Sequence, residues 1–126
     1  MKKIVYNKTI LVICMFALCL VSSFSFSQSL PPVNNFTPSE YQADNQNWSI
    51  SQTEDKQIFV ANNKGLLNFN GEDWTLYPSP NESIIRSVHA VNQTVYTGCY
   101  KDFGVWKENN KGLYEYESLV NKYNLE

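Results

Sequence analysis

From Trp48 onward, apolar and polar residues alternate in short runs separated by turn formers. Trp48 to Gln52 (WSISQ) alternates, and Ile58 to Ala61 (IFVA) is β-branched and aromatic. Leu66 to Phe69 (LLNF) ends at Asn70-Gly71, a strong turn dipeptide, and Trp74 to Tyr77 (WTLY) ends at Pro78-Ser79-Pro80. Four more runs follow: Ile85 to Ala90, Thr94 to Gly98, Phe103 to Lys107 and Leu113 to Ser118. The pattern predicts eight short strands and no stretch of helical period in this region.

The strands form two sets of four. Ser49 matches Ser87 at an offset of 38, and Ile58 to Ala61 matches Val95 to Gly98 at 37. Gly65-Leu66-Leu67 matches Gly104-Val105-Trp106 at 39, as Trp74 to Tyr77 matches Leu113 to Tyr116. The offset changes place one deletion and one two-residue insertion in loops, the insertion at Tyr100 to Phe103. Four strands in about 40–45 residues is the period of a β-propeller blade. A small β-sandwich is the competing fold. The expected fold class is all-β: about two four-stranded propeller blades, an incomplete propeller, after an N-terminal signal helix.

This pattern divides the chain into a signal peptide (1–27), an extended lead-in (28–47), a first blade (48–82), a second blade (83–120) and the start of a third unit (121–126). A blade needs a neighbour on each face, and stacked repeats generally need three or more units. The expectation is the N-terminal part of a longer polypeptide, or a truncated reading frame. The remaining blades and downstream domains are its expected partners.

Upstream, Lys2, Lys3 and Lys8 precede the apolar run Ile10 to Val21, and Ser25-Phe26-Ser27 offers small residues before Gln28. This is the layout of a cleaved secretory signal, against the rival reading of an uncleaved anchor. Bulky Ile13 and Leu18 before Cys14 and Cys19 leave no lipobox. The expected location is therefore exported, on the periplasmic side of a membrane-anchored parent or secreted. Cys99, alone after the signal, has no intramolecular disulfide partner.

Charge narrows the partners. Of 10 basic and 12 acidic residues, three lysines belong to the signal, so residues 28–126 carry 7 − 12 = −5. One arginine, Arg86, is present in the whole chain. A nucleic-acid binder needs clustered cations, so no nucleic acid is expected on this segment.

The stretches Trp48 to Asn70 (WSISQTEDKQIFVANNKGLLNFN) and Arg86 to Lys107 (RSVHAVNQTVYTGCYKDFGVWK) resemble the two-component-regulator propeller repeat. The matching elements are Ser49-Ile50, Ile58 to Ala61 and Asn63 to Leu66, then Ser87-Val88, Val95 to Gly98 and Phe103 to Trp106. Tyr41 to Gln52 with Gly65 to Tyr77 looks like the amino-terminal end of exported sensor regulators of Bacteroidota. The resemblance implies an extracytoplasmic sensor whose propeller precedes a triple-tyrosine sandwich, a membrane helix and a cytoplasmic output. That output is a helix-turn-helix regulator or a histidine kinase. Homodimerisation of the parent and an oligosaccharide or other small ligand belong to the same implication.

No residue pattern supports catalysis, a metal or a cofactor. Ser residues lack a nucleophile elbow, and no Gly-rich phosphate loop is present. His89 reads first as a structural residue and second as a ligand contact, because its innermost strand would face a ring channel. Glu115 and Glu117 share a strand face and read as solvated. Cys99 reads as a small, partly buried hydrophobe. Most aromatics read as packing residues. Tyr100, Lys101 and Asp102 are candidate ligand contacts, because insertions fall on loops and loops carry binding. The expected function is a ligand-sensing segment of a transmembrane signalling regulator. The alternatives are the N-terminal part of a secreted enzyme acting on polysaccharide, or an adhesion module.

Overall fold

The computed structural model describes residues 2–21, 30–80 and 82–125. Contacts divide it into residues 1–34 and 35–126. The first unit contains α1 (Lys2–Val21), whose side chains from 8 to 18 are exposed. Among the described residues, no helix is long and apolar enough to cross a membrane. The expected cleavage motif Ser25-Phe26-Ser27 lies outside the described residues.

The second unit is built from two antiparallel four-stranded sheets. Sheet 1 runs in sequence order through β1 (Asn47–Gln52), β2 (Ile58–Asn62), β3 (Gly65–Phe69) and β4 (Trp74–Pro78). Sheet 2 repeats that meander through β5 (Ser87–Val91), β6 (Thr94–Cys99), β7 (Asp102–Glu108) and β8 (Tyr114–Ser118). All eight expected strands form, each within two residues of its expected ends. β-Branched and aromatic side chains suit a pleated, half-buried surface, and here they fill the inner strands.

Burial follows the two-residue period of a strand. On one face of sheet 1, Phe59, Ala61 and Leu66 are fully buried against Val88, Val95, Trp106 and Tyr114 of sheet 2. Phe59 meets Tyr114 edge-on at 5.0 Å, and Tyr77 contacts Tyr114 at 5.8 Å and Trp106 at 6.0 Å. The opposite face of sheet 1 carries Val60 and Leu67 with Ile58, Trp74 and Leu76, and the lead-in covers it with Tyr41 and Ala43. Phe36 adds contacts to Phe69 at 5.2 Å and Trp74 at 5.4 Å. Sheet 1 is thus covered on one face by sheet 2 and on the other by the lead-in over β2 to β4, with Ile50 of β1 left 68% exposed.

Sheet 2 is covered on one. Its outer face carries Val91, Tyr96 and Phe103, each more than 40% exposed, together with His89, Lys107, Glu115 and Glu117. Val105 is buried on this face, on the strand against which α3 (Leu119–Tyr123) packs.

Four expectations are corrected. First, the lead-in is not wholly extended: Pro38–Tyr41 forms a single helical turn, α2, with Pro at its start and the Glu40 carboxylate accepting from the Thr37 N–H at 2.6 Å. Second, the boundary after residue 120 falls inside α3, because Ser118 caps that helix by accepting from the Asn121 N–H at 3.1 Å. Third, the Tyr100 to Phe103 stretch holds no insertion. Asn63-Lys64 and Tyr100-Lys101 are both two-residue turns, closed by the pairs Asn62 with Gly65 and Cys99 with Asp102. The extra length sits instead at the far end of β7, seven residues long against five in β3. Gly65 therefore stands at a turn exit while Gly104 lies two positions along its strand, a slip that preserves facing. At Gly65, φ is +150° and a Cβ would collide with the Tyr77 carbonyl, so only glycine fits. Fourth, the match of Tyr77 with Tyr116 is one residue out. Leu76 pairs with Leu67 as Tyr116 pairs with Trp106, whereas Tyr77 points to the other face.

Candidate functional site

Antiparallel pairing brings the start of β5, the β6–β7 turn and the segment entering β5 to one end of sheet 2. There the surface sinks into an open depression of about 550 Å³. Arg86, Ser87, Gly98, Cys99, Tyr100 and Lys101 line it, together with Ile84 from the segment entering β5. Gly98 makes room for the serine, since a Cβ there would stand 2.6 Å from the Ser87 hydroxyl oxygen.

Arg86 is held at both ends. Its backbone N–H donates to the Gly98 carbonyl at 2.9 Å, and its guanidinium lies 4.7 Å from the centre of the Trp48 ring. Trp48 in turn donates its indole N–H to Asn63 Oδ1 at 2.8 Å. Stacking on an aromatic face fixes the plane of an arginine while leaving its N–H edge open. In the β6–β7 turn, Lys101 takes a left-handed conformation (φ 57°) and places Nζ 5.5 Å from the centre of the Tyr100 ring. Tyr100 is 72% exposed, a flat apolar surface at a turn tip.

Of the four candidate ligand residues, the fold brings two together. Tyr100 and Lys101 line the depression. Asp102 does not: it begins β7 and its carboxylate accepts from Tyr116 Oη at 3.0 Å and Ser118 Oγ at 2.7 Å, tying β7 to β8. That arrangement and burial push the Tyr116 phenol pKa up, burial being the larger cause. His89 does not either: it is exposed in β5 and pairs with Tyr96. β5 begins at Ser87, and the chain before it turns Ile85 into the core between the sheets.

Arg86, Trp48 and Ser87 were not among the candidates. The available signal was compositional: Arg86 is the single arginine of the chain. Cys99 sits as anticipated, partly buried, with its thiol donating to the Asp102 carbonyl at 3.4 Å. Glu115 accepts from Asn109 at 2.7 Å, and Glu117 pairs with Lys122 at 2.6 Å and Lys107 at 3.7 Å. Among the described residues no cluster of three metal-ligating side chains occurs.

No family model, no curated protein and no solved structure matches this chain.

Proposed function

We propose that this chain is an exported, ligand-sensing segment of β-propeller type, its two sheets being consecutive blades of a two-component-regulator propeller. It belongs to a membrane-anchored signalling regulator and performs no catalysis itself. The observation that carries the reading is a repeat of contacts as well as of strands. Ser49 and Ser51 of β1 meet Val88 and Ala90 of β5, and each partner lies 39 positions on. The first strand of one sheet thus satisfies backbone groups of the first strand of the next, as successive units of a stacked array do. The outer face of sheet 2 is the surface on which a further unit of the same pattern stacks, and α3 leads toward it. Binding occurs at the sheet end that carries Arg86, Tyr100 and Lys101, and is passed on through the stacked sheets.

The experiment joins export to turnover. Residues 1–34 are fused to a reporter enzyme active only outside the cytoplasm, and the full chain is incubated with acidic and neutral oligosaccharides. The reading predicts an active reporter and sugars recovered intact. Cytoplasmic retention, or shortened sugars, contradicts it.

A further inference from the structure

We propose that the depression between Arg86 and Lys101 binds a ring-bearing carboxylate, with the Arg86 fork and Lys101 gripping the acid group and Tyr100 carrying the ring. The assignment rests on the ligand-sensing reading above and names its ligand class.

Charge is the first argument. Residues 28–126 carry 7 cations against 12 anions, yet two of those cations line this one depression. The ion pairs among the described residues both involve Glu117, and neither uses Arg86 or Lys101. Asp102, the acid next to Lys101 in sequence, is turned toward Tyr116 and Ser118. The lining thus holds two cations and no carboxylate on a negative protein, which favours an anionic guest.

Geometry supplies the second argument. The stacked guanidinium presents a planar fork that matches a carboxylate with two parallel hydrogen bonds. Ser87, against Gly98, adds a hydroxyl at the floor. The exposed Tyr100 ring, which lines the same depression, offers flat contact area at low entropic cost, as sites that hold a ring require. A volume of about 550 Å³ exceeds what an inorganic anion needs and suits a ring with its substituents.

The molecule contains its own control. In sheet 1 the positions of Arg86, Tyr100 and Lys101 are taken by Trp48, Asn63 and Lys64. There the first two are joined directly by the 2.8 Å indole–amide bond. In sheet 2, among the described residues, no hydrogen bond joins the same two positions, and both line a depression. The same framework is closed by a hydrogen bond in one copy and opened between a cation and an aromatic ring in the next.

Isothermal titration calorimetry on the full chain tests the proposal with glucuronate, glucose, benzoate and inorganic phosphate. Saturable binding of glucuronate is expected, with glucose silent, phosphate weaker, and affinity falling as salt rises. Arg86→Gln and Lys101→Gln should each weaken glucuronate by about tenfold. Arg86→Lys keeps the charge without the fork and should fall between. Lys101 sits on an exposed turn, so its variant keeps the fold. Benzoate binding as well as glucuronate assigns recognition to carboxylate and ring alone; glucuronate binding alone adds the sugar hydroxyls. If glucose binds as tightly as glucuronate, or if both acids fail to saturate, the proposal is overturned while the sensing reading stands. Chemical conversion of a probe would instead overturn the sensing reading.

Discussion

Ser51 and Ala90 lie 39 positions apart, and the Ala90 N–H donates to the Ser51 hydroxyl oxygen at 2.9 Å. An inner strand at a sheet edge has backbone groups that no ladder satisfies, and this serine supplies one partner from the neighbouring sheet. Ser51→Ala should cost about 1–2 kcal/mol, because the partly buried Ala90 N–H is left without an acceptor. Urea unfolding measures the loss, and amide exchange at Ala90 should accelerate more than at Val95 in the core.

Asn62 is fully buried and joins three segments. Its amide donates to the Asp44 carbonyl at 2.6 Å and Asn47 Oδ1 at 2.8 Å, and its oxygen accepts from the Lys64 N–H at 2.9 Å and the Asp44 N–H at 3.2 Å. Asn62→Ala leaves several buried groups unpaired and should destabilise by roughly 2–3 kcal/mol. The lead-in should also loosen from sheet 1, which limited proteolysis near residue 44 would detect. A change below about 0.5 kcal/mol contradicts this role.

Tyr114 is buried between the sheets, and its hydroxyl has no hydrogen-bond partner among the described residues. Tyr114→Phe keeps the ring contacts with Phe59 and Tyr77 and removes the unsatisfied group, so stability should stay equal or rise by about 1 kcal/mol. Burial, with Glu108 and Asp55 as lesser causes, pushes the Tyr114 phenol pKa up to about 12. The folded state therefore holds this proton more tightly than the unfolded chain, whose tyrosine titrates near 10. The stabilisation is full below pH of about 10 and is lost as pH rises toward about 12. Alkaline unfolding should be less steep in Tyr114→Phe; an unchanged profile would contradict the assignment.

Much of this architecture is legible in the residues, and the failures have physical causes. The strands were readable because alternation and turn residues mark them directly. The facing of β8 was misread because a match by residue type tolerates a slip of one, whereas the ladder does not: Leu76 and Tyr116 share a role, Tyr77 and Tyr116 do not. α2 and α3, of four and five residues, are too short to show a helical period. At the candidate site, Tyr100 and Lys101 were chosen as part of a loop insertion that the ladder does not contain, and they line the depression because they form the β6–β7 turn itself. Asp102 was included by adjacency, although a strand residue beside a turn points to the other side. Arg86 was missed because its role depends on Trp48, 38 positions earlier, and only packing of one sheet on the other brings them together.

The uncovered face of sheet 2 bears most directly on the central claim, that these two sheets are units made to be stacked. Tyr96 and Phe103 stand exposed there, in an apolar patch rimmed by charge, whereas the matching face of sheet 1 is buried against its neighbour. Sedimentation velocity on residues 35–126, alone and with Tyr96→Lys and Phe103→Lys combined, measures the consequence. The account predicts concentration-dependent association that the double substitution abolishes without loss of the strand signal. A wild-type segment that stays monomeric across the concentration range and melts in one cooperative step would contradict it.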